Sequence, residues 1–361
     1  MTTDSSAATD AGEALVERLF EATIGTLELF SVHLGWRLGL YGALRQEACS
    51  PSELADRAGI DERYAREWLE QQAAAGFLLV EAGDGSADGR RYSLPAAHAE
   101  VLAEPESLAH VAPFAPMVIG IAGAVPQVVE AYRTGSGVPY AAYGVDFREG
   151  QGAINRPAYV HELAGWFASV PEIHDRLQAE PPARVADLGC GQGFSTIAIA
   201  RAYPGAEVTG FDVDEPSVAD AASAAGSAQV DVRFEARDAA GLADVGPFDL
   251  VCIFEALHDM PDPEGVLGSI REALAPGGRV LIMDERVGDE FTAPADEVER
   301  MMYGWSVVHC LPASRAEQPS AALGTVLRAG TVLELGTSAG FNEVDVLPIE
   351  NDFFRFYLLR P

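Results

Sequence analysis

The chain has 361 residues, 48% of them hydrophobic, and its 24 basic and 55 acidic side chains give a formal net charge of −31. A chain of this length is expected to form about two domains, each with a core of its own. So acidic a surface repels phosphate backbones and argues against a nucleic-acid partner. Every basic residue is Arg, so Schiff-base chemistry on a lysine is excluded.

The cysteines are too widely separated to predict a disulfide framework or a zinc site; they are Cys49, Cys190, Cys252 and Cys310. The histidines have no regular metal-ligand spacing either, so we predict no metal. The sequence shows no basic-then-apolar leader and no uninterrupted apolar run of membrane-spanning length. We therefore expect a cytoplasmic protein that makes no membrane contact.

The N-terminal region from Ala11 to Leu44 predicts helix, because apolar residues recur there at helical spacing. We expect these residues in a core, with some of them packed against a second subunit: Leu15, Leu19, Phe20, Leu27, Phe30, Leu34 and Leu38. The apolar helices therefore also favour a homodimer.

The next segment predicts a winged helix, with two capped helices and two short strands. The helices begin after Ser50 and Asp61. The strands, at 77–80 and 91–94, flank the turn Asp84-Gly85-Ser86.

A winged-helix domain can bind DNA, or it can serve as a scaffold for dimerisation and for covering a substrate pocket. The charge of the domain distinguishes these two functions. Residues 1–110 contain 8 Arg and 19 Asp and Glu, and the second helix of the motif is itself rich in acids. Because a helix that enters a DNA groove is normally basic, the composition favours the scaffold.

Residues 111–180 are predicted to form a helical connector between the N-terminal domain at 1–110 and a C-terminal domain at 181–361. The Gly/Pro/Tyr-rich stretch from 135 to 156 is typical of a linker with short helical pieces around it. Ala158–Ala168 predicts an amphipathic helix.

From residue 181 onward, short apolar strands alternate with helices, which is typical of a parallel sheet covered on both faces. The predicted strands are Ala183–Leu188, Glu207–Phe211, Val230–Glu235, Phe248–Phe254, Arg279–Met283, Val344–Leu347 and Phe353–Leu359. In such a sheet, ligands bind beyond the carboxyl ends of the strands.

The first of these strands ends in the most informative motif of the chain, Val185-Ala186-Asp187-Leu188-Gly189-Cys190-Gly191-Gln192-Gly193. Alternate glycines allow a sharp turn and the close approach of a ligand, and the helix that follows directs free N–H groups at it. A nicotinamide-type fingerprint would place Gly or Ala where Phe194 stands, so the spacing differs from that of dinucleotide sites.

Acidic residues follow the next strands as well. Asp212 stands 23 residues after Gly189, where a carboxylate can accept both ribose hydroxyls, and Asp238 could take an adenine amino group. The pair His258-Asp259 follows the fourth strand. One acid alone is more readily a helix cap, but a glycine loop with an acid at this interval is hard to assign to capping.

Together these segments resemble class I S-adenosylmethionine (SAM) methyltransferases: VADLGCGQG, GFDVD, ARDAA, FDLVCIFEALHDMPD and LAPGGRVLIMDE. With the winged helix in front, the chain is similar to small-molecule O-methyltransferases and to actinobacterial winged-helix methyltransferases. The resemblance implies an α/β fold with a Rossmann-like seven-stranded sheet, mostly parallel with an antiparallel last strand, behind an α-helical winged-helix domain. It also implies SAM as the cofactor, bound by Asp187, Gly189, Gly191, Gly193, Asp212, Val213, Asp238, Ala239 and Phe254.

In the O-methyltransferases, a His-Asp pair after the fourth strand carries the general base. This resemblance implies His258 as the base, with Asp259 beside it and Glu285 as a flanking acid. A histidine with a pKa of about 6.5 can take the proton of a hydroxyl during methyl transfer. Packing at the start of a helix is the alternative for His258. The chain departs from the family at Met260, where a Trp is usual, and at Phe254, where a Lys is usual.

An insertion at 286–328 is predicted to cover the acceptor pocket as a lid. Its apolar and aromatic residues suit a hydrophobic or planar acceptor, and packing of the lid on the sheet is an equal alternative. The predicted acceptor-binding residues are Trp166, Met302, Trp305 and His309.

The sequence thus predicts SAM-dependent methylation of a small aromatic or hydrophobic metabolite, at oxygen. Carbon or nitrogen methylation stays open, because His258 could equally orient an enolic carbon nucleophile. Two further alternatives are a SAM-binding winged-helix transcriptional regulator and a member of the fold that binds SAM for another reaction.

Overall fold

The computed structural model describes most of the chain, namely residues 3–45, 47–81 and 89–361. It contains two compact units, Met1–Ile119 and Gly120–Pro361. The span predicted as a connector, 111–180, is divided between them at residue 119, and the predicted domain boundaries stay predictions.

The N-terminal unit combines helices with a two-stranded antiparallel sheet: α1 (Thr3–Arg37), α2 (Leu40–Leu44), α3 (Pro51–Ala58), α4 (Glu62–Ala74), β1 (Leu79–Glu81), β2 (Arg91–Ser93) and α5 (Ala96–Leu102). Ser50 and Glu53 form a reciprocal capping box at the start of α3, and Asp61 accepts the first N–H groups of α4. These caps fix the helix starts that the sequence predicted. The turn Asp84-Gly85-Ser86 lies outside the described residues.

The apolar stripe of α1 is not the core that the sequence predicted. Phe20 is 67% and Leu27 is 59% exposed, and the same face includes Leu15, Val16, Leu19, Ile24, Leu34 and, just after the helix, Leu38. That prediction was wrong because α1 joins the core of its unit only near its C-terminal end, at Leu29, Val32 and Trp36.

Helix α6 (Phe114–Thr134) runs across the division between the units. In the described part of the chain it is the one helix long and apolar enough to cross a membrane, with a mean hydropathy of 1.5 over its most apolar window. The core helix of a soluble protein meets the same criterion, and 44% of this window is buried. The absence of membrane contacts therefore stays a prediction.

Three helices precede the sheet of the second unit: α7 (Gly144–His161), α8 (Leu163–Ala168) and α9 (Pro171–Gln178). The prediction of a linker was wrong over α7, which is an 18-residue helix despite Gly152 and Pro157 within it. The predicted amphipathic helix is interrupted at Glu162, and its apolar residues Tyr159, Leu163 and Phe167 are buried.

The seven strands of the main sheet are β3 (Arg184–Leu188), β4 (Glu207–Asp212), β5 (Arg233–Ala236), β6 (Phe248–Phe254), β7 (Leu274–Glu285), β8 (Glu343–Val346) and β9 (Phe354–Arg360). Their order is β5-β4-β3-β6-β7-β9-β8, and β9 runs antiparallel to both of its neighbours. Parallel pairing places Asp187 of β3 opposite Gly210 of β4 and Cys252 of β6. This is the predicted doubly wound sheet with an antiparallel last strand.

Helices cover both faces of this sheet, with a hydrophobic cluster between the sheet and the helices on each face. The remaining helices are α10 (Phe194–Ala202), α11 (Glu215–Ala228), α12 (Pro263–Ala273), α13 (Glu297–Trp305), α14 (Leu311–Ser314) and α15 (Ala329–Ser338). Alternate residues of one strand join different clusters: Leu250 and Cys252 pack with α8 and α9, whereas Val251 and Ile253 pack with α12. Burial on both faces explains why the strands are apolar along their whole length.

The insertion at 286–328 contains α13, a π-helical turn from Ser306 to Cys310, and α14. Glu299 of α13 is only 3% exposed and pairs with Arg328 at 2.7 Å. Arg328 also donates to the Gly288 carbonyl and to the Tyr303 hydroxyl. The Arg328 guanidinium therefore connects the end of the insertion to α13 and to the first residues of the insertion.

Candidate functional site

A cavity of about 740 Å³ lies beyond the carboxyl ends of β3, β4, β5 and β6. The order of strands reverses between β3 and β6, which is where ligands bind in open α/β sheets. One face of α7 and four residues of the insertion, Ala313, Ser314, Ala316 and Glu317, complete its walls. The sequence-predicted residues that line it are Gly189, Gly191, Asp212, Val213, Asp238, Ala239, Phe254 and Asp259.

The glycine loop after β3 supplies one wall of the cavity. Gly189, Gly191 and Gly193 have φ angles of 66°, 49° and 77°, in the left-handed region. A Cβ on Gly189 would lie 2.6 Å from the Ala256 Cβ, and one on Gly193 would lie 2.6 Å from the Phe234 ring. A Cβ on Gly191 would have no atom within 4 Å, so this glycine faces open space where a ligand can approach the backbone.

Asp187 supports this loop from beneath and does not line the cavity. Its carboxylate accepts hydrogen bonds from the Ser195 and Thr196 hydroxyls, both at 2.6 Å, and so fixes the first turn of α10. Burial raises the pKa of Asp187 to about 6. Asp187 is thus placed to position the loop, and its direct contact with a cofactor stays a prediction.

Asp212 joins the ends of β3 and β4. Its Oδ2 accepts the Gly191 N–H at 2.8 Å, and its Oδ1 accepts the Asp214 N–H at 2.9 Å. Burial raises the pKa of Asp212. Each oxygen keeps a second lone pair for a hydroxyl donor, and the exposed Val213 lines the cavity beside it.

Asp238 both lines the cavity and caps the short helical turn Ala239–Asp244. Its Oδ1 accepts the Ala240 N–H at 2.9 Å, so the capping role that the sequence offered as an alternative is present. The other carboxylate oxygen makes no such cap contact and is available to a ligand. Ala239 lies next to it on the wall, and Phe254 lines the cavity from the end of β6.

One face of α7 lines the cavity and was missed by the sequence analysis: Arg148, Gln151, Gly152, Asn155 and Tyr159. Tyr140, just before the helix, donates from its hydroxyl to Gln151 at 2.8 Å. These residues recur every three or four positions, which is the spacing of one helix face. That spacing was the available signal, but the glycines and proline among them favoured a linker.

His258 lies beneath the cavity, with its side chain only 3% exposed, and does not line the cavity. Its Nδ1 lies 2.9 Å from Asp284 Oδ1 and 3.3 Å from Glu285 Oε2, and its Nε2 lies 3.6 Å from Asp259 Oδ1. Asp284, which the sequence analysis missed, is therefore the nearer acid at Nδ1. Asp259 is the member of the pair that faces the cavity.

The charges around His258 favour an imidazolium ion. Burial lowers the pKa of His258, but Glu285, Asp284 and Asp259 outweigh that effect and raise the pKa well above 6.5. Burial also raises the pKa of Glu285 well above its usual value, whereas the nearby imidazolium keeps the pKa of Asp284 low despite burial. The imidazolium form of His258 and the ionised form of Asp284 thus stabilise each other.

Glu255 is a further cavity residue that the sequence analysis missed. It has a φ of 51°, which costs energy for a residue with a Cβ, and its N–H donates to the Met283 carbonyl at 2.8 Å. Its carboxylate accepts a hydrogen bond from the Asn155 amide. Burial raises the pKa of Glu255 to about 7. The hydrogen bond with Asn155 joins this strained turn to α7.

The four predicted acceptor-binding residues lie outside the lining of the cavity. Trp166 packs in the core, 4.9 Å from the Phe356 ring, and Met302 is buried in α13. Trp305 is half-buried at the end of the same helix. His309 is buried 4.0 Å from the Phe147 ring, and burial lowers its pKa to about 3. The packing alternative thus describes these side chains, and their contact with an acceptor stays a prediction.

The fold brings together two groups of side chains that could bind a metal, each with members far apart in the sequence. One potential ligand atom each from His258, Asp259 and Cys310 lies within 4.8 Å of the others, and the same holds for His258, Asp284 and Glu285. Residue spacing along the chain could not show either group. Cys310 and the other cysteines are free and buried.

Two family models match the chain. Residues 180–341 match a methyltransferase domain, and residues 26–104 match an Rv2258c-like winged helix–turn–helix domain. The chain therefore carries a methyltransferase domain behind a winged helix–turn–helix domain, as the sequence predicted.

Relatives and solved structures resemble the same region or the whole chain. A trans-aconitate 2-methyltransferase of Streptomyces avermitilis is 34% identical over 140 residues, which are 38% of this chain and 49% of that protein. The chain spans about half the length of the curated relatives it matches. The mitomycin 7-O-methyltransferase structure has a TM-score of 0.67 at 20% identity, covering 98% of this chain and 99% of that chain. Human N-acetylserotonin methyltransferase in complex with SAM has a TM-score of 0.71 at 16% identity, covering 96% and 97%. These similarities confirm the predicted fold.

Proposed function

We propose that this chain, with its methyltransferase domain behind a winged helix–turn–helix domain, transfers a methyl group from SAM to a hydroxyl oxygen of a small molecule. The observation that carries the proposal is the cavity itself. The glycine loop after β3 and two acids at strand ends line this cavity, and a buried cluster of a histidine and carboxylates lies beneath it. The matched domain and the names of the similar structures support a methyltransferase of this type.

The residues present fit SAM. Gly191 leaves room for a ligand against the backbone, Asp212 keeps lone pairs for two ribose hydroxyls, and Asp238 lines the cavity where an adenine amino group would lie. When bound, SAM supplies a methyl group on a positively charged sulfur. Asn155 and Glu255 then bring a hydrogen-bonded carboxylate to the cavity wall, which favours a cation there.

His258 is the proposed general base for the acceptor hydroxyl. Asp284 holds the Nδ1 side of the ring, so Nε2 is the nitrogen directed at Asp259 and the cavity wall. Asp259 lies between Nε2 and the cavity, so the proton of the acceptor hydroxyl passes to the Asp259 carboxylate and from there to Nε2 of neutral His258. Asp284 and Glu285 stabilise the resulting imidazolium.

A small aromatic or hydrophobic acceptor is the class that the walls favour. Tyr140, Met260, Pro261 and Ala313 supply apolar surface to the cavity wall. Flat apolar surface beside a few placed polar groups is typical of small-molecule sites. Carbon and nitrogen acceptors remain outcomes of the test.

A role as a DNA-binding regulator receives less support. Arg63 and Arg66, the arginines of the would-be recognition helix α4, form ion pairs with Glu67 and Glu62 on the same helix. Neutralised arginines on an acidic helix contribute little to phosphate binding. We therefore assign the winged-helix domain to a scaffold for dimerisation, and a cytoplasmic location stays our proposal.

The test is mass spectrometry on a metabolite extract incubated with the protein and methyl-deuterated SAM. We expect one labelled product with the wild type and a loss of roughly 100- to 10,000-fold in its rate with His258→Ala, the range for removal of a general base. His161→Ala, at an exposed histidine of α7, is the matched control and should leave the rate unchanged. Undiminished labelling by His258→Ala would reject that base. Demonstrated SAM binding without any product would favour the regulator or another reaction.

A further inference from the structure

We infer that His258, Asp259 and Cys310 form a binding site for a zinc-type divalent cation, between the insertion and the turn after β6. One potential ligand atom of each side chain lies within 4.8 Å of the others, and His258 and Cys310 are buried. A cation bound here would withdraw His258 and Asp259 from proton transfer and so inhibit the enzyme. That consequence rests on the proposed function, whereas the site itself rests on the geometry of the three ligands.

The three side chains are a set of ligands that zinc favours. Imidazole nitrogen, thiolate sulfur and carboxylate oxygen are its usual protein ligands, and three of them leave one of four tetrahedral positions to water. His258 Nε2 lies 3.6 Å from Asp259 Oδ1. Two ligand atoms bound to one tetrahedral zinc ion lie roughly 3.3 Å apart, so only a small shift is needed to place the ion between them.

The contact on the other side of the His258 ring matches that of a metal-binding histidine. Its Nδ1 lies 2.9 Å from Asp284 Oδ1, so the ring can donate its N–H to this carboxylate and keep the Nε2 lone pair for a metal. Histidines that bind metals almost always have such a partner, which fixes the tautomer and the orientation of the ring. The same hydrogen bond engages Nδ1 and therefore disfavours a metal held by His258, Asp284 and Glu285.

The insertion brings Cys310 to the same point. Cys310 ends the π-helical turn that begins at Ser306, and such turns are rare and frequent at functional sites. Its Sγ lies 3.3 Å from His309 Nδ1, which is within hydrogen-bond reach for sulfur. The His309 ring can therefore donate to a thiolate that binds a metal, and the metal displaces the thiol proton as it binds.

Buried oxygen atoms beside these ligands have no hydrogen-bond partner within the described residues. One is Asp259 Oδ1, which lies against His258 and Cys310. Another is Thr325 Oγ1, beside the Cys310 thiol in a residue that is only 2% exposed. Unpaired buried oxygens are costly, and a metal would satisfy the first while its bound water would satisfy the second. The rest of the Asp259 side chain lines the cavity, which gives a cation a route to the site.

The test measures binding of Co²⁺, which occupies zinc sites and reports a thiolate ligand through a charge-transfer band in the near ultraviolet. The full-length protein is treated with a chelator and titrated with Co²⁺. We expect one Co²⁺ per chain with this band, and we expect Zn²⁺ to displace it because such sites bind Zn²⁺ more tightly. Asp284→Asn keeps all three ligands and should weaken Co²⁺ binding about 10- to 100-fold.

Removal of the ligands one at a time makes the assignment specific. Cys310→Ser should lose the charge-transfer band, and Asp259→Asn, which leaves the thiol in place, should weaken Co²⁺ binding. Cys49→Ser is the matched control, because Cys49 is another buried free cysteine and lies in the N-terminal unit. It should keep the band and the affinity of the wild type. Circular dichroism of each variant confirms that it is folded.

The absence of the band in the wild type, or its survival in Cys310→Ser, would overturn the inference. A cation bound at Nδ1 of His258 would give no thiolate band and would count against it as well. Because binding is read without methyl transfer, the site and the proposed reaction can fail separately. The band together with undiminished methyl transfer at saturating Co²⁺ would retain the site and reject the proposed role of His258 and Asp259.

Discussion

His258 is surrounded by more negative charge than one imidazole can balance. Asp284 and Glu285 face it from β7, Asp259 and Glu255 from the turn after β6, and the buried Cys310 and His309 face it from the insertion. The excess stabilises the protonated ring, which raises the pKa of His258 and makes the ring harder to deprotonate. The proposed reaction therefore requires deprotonation of His258 before each turnover.

This charge balance predicts the pH dependence of methyl transfer. A raised pKa means that neutral His258 is present only above that pKa, so kcat/KM should rise with pH, with a midpoint above 6.5. Asp284→Asn removes one of the carboxylates that raise the pKa of His258 and should move the midpoint to lower pH. The measurement is the pH profile of kcat/KM for the wild type and this variant.

Glu350→Gln is the control for a general loss of negative charge, because Glu350 is 94% exposed at the side chain and is not among the groups that shift the pKa of His258. Its profile should match that of the wild type. A wild-type midpoint below 6.5, or an unmoved midpoint in Asp284→Asn, would show that His258 is not the group whose deprotonation limits the reaction. Asp259 would then be the better candidate for the base.

Motif spacing located some residues of the site and missed others. Asp212 and the His258-Asp259 pair follow from strand ends that can be read from the chain. Asp284 could not be found in this way. Its position next to Glu285 in the sequence does not indicate contact with a histidine, and only the fold brings it to Nδ1 of His258. The contact of Trp166 with Phe356 could not be read from the sequence either, because it depends on packing across the sheet.

At the scale of elements, the glycine loop has a property that a paired substitution can test. Gly191 and Gly277 have φ angles of 49° and 82°, and a Cβ on either would meet no atom within 4 Å. Gly191→Ala and Gly277→Ala should therefore share a strain cost of about 1–2 kcal/mol in the free energy of unfolding. Only the first places a methyl group in the cavity, so only Gly191→Ala should weaken SAM binding, by more than about tenfold.

Calorimetric titration with SAM and urea unfolding of both variants make this comparison. The control, Gly277→Ala, lies in β7 away from the cavity and should keep wild-type affinity. Wild-type affinity in Gly191→Ala would show that the cofactor does not approach the backbone there. Equal weakening in both would assign the effect to strain alone.

The sequence predicted the bounds of β3 and β6 well, and both strands are buried along nearly their whole length. β6 begins and ends at the predicted residues, and β3 begins one residue late, because apolar runs bounded by turns leave little freedom in placing a buried strand. β7 is longer than predicted because its first residue, Leu274, pairs with Phe248 before an irregularity in the register. Helix α7 was missed because Gly152 lowers the local helix propensity. The fold requires glycine there, where the helix packs closely against Gln192, and local propensity does not report that contact.

At the scale of the whole molecule, net charge and exposed apolar surface point to different partners. A charge of −31 favours solubility and opposes association with polyanions. The apolar face of α1, formed by Val16, Phe20, Ile24, Leu27 and Leu34, is nonetheless exposed over several turns. An exposed patch of this extent is typical of an interaction site, and here we expect a second copy of the chain to cover it.

Substitution on this face tests the homodimer. Phe20 and Leu27 lie seven residues apart on one side of α1, and Phe20→Glu with Leu27→Glu removes two exposed apolar anchors. Each such side chain contributes about 1.5–3 kcal/mol when it is fully buried, so the double variant should be monomeric at concentrations where the wild type is a dimer. Ala22→Glu places the same charge on the opposite side of the helix and should remain dimeric. Light scattering coupled to size-exclusion chromatography distinguishes these states. A monomeric wild type, or a double variant that still dimerises, would leave the exposed face of α1 to another partner.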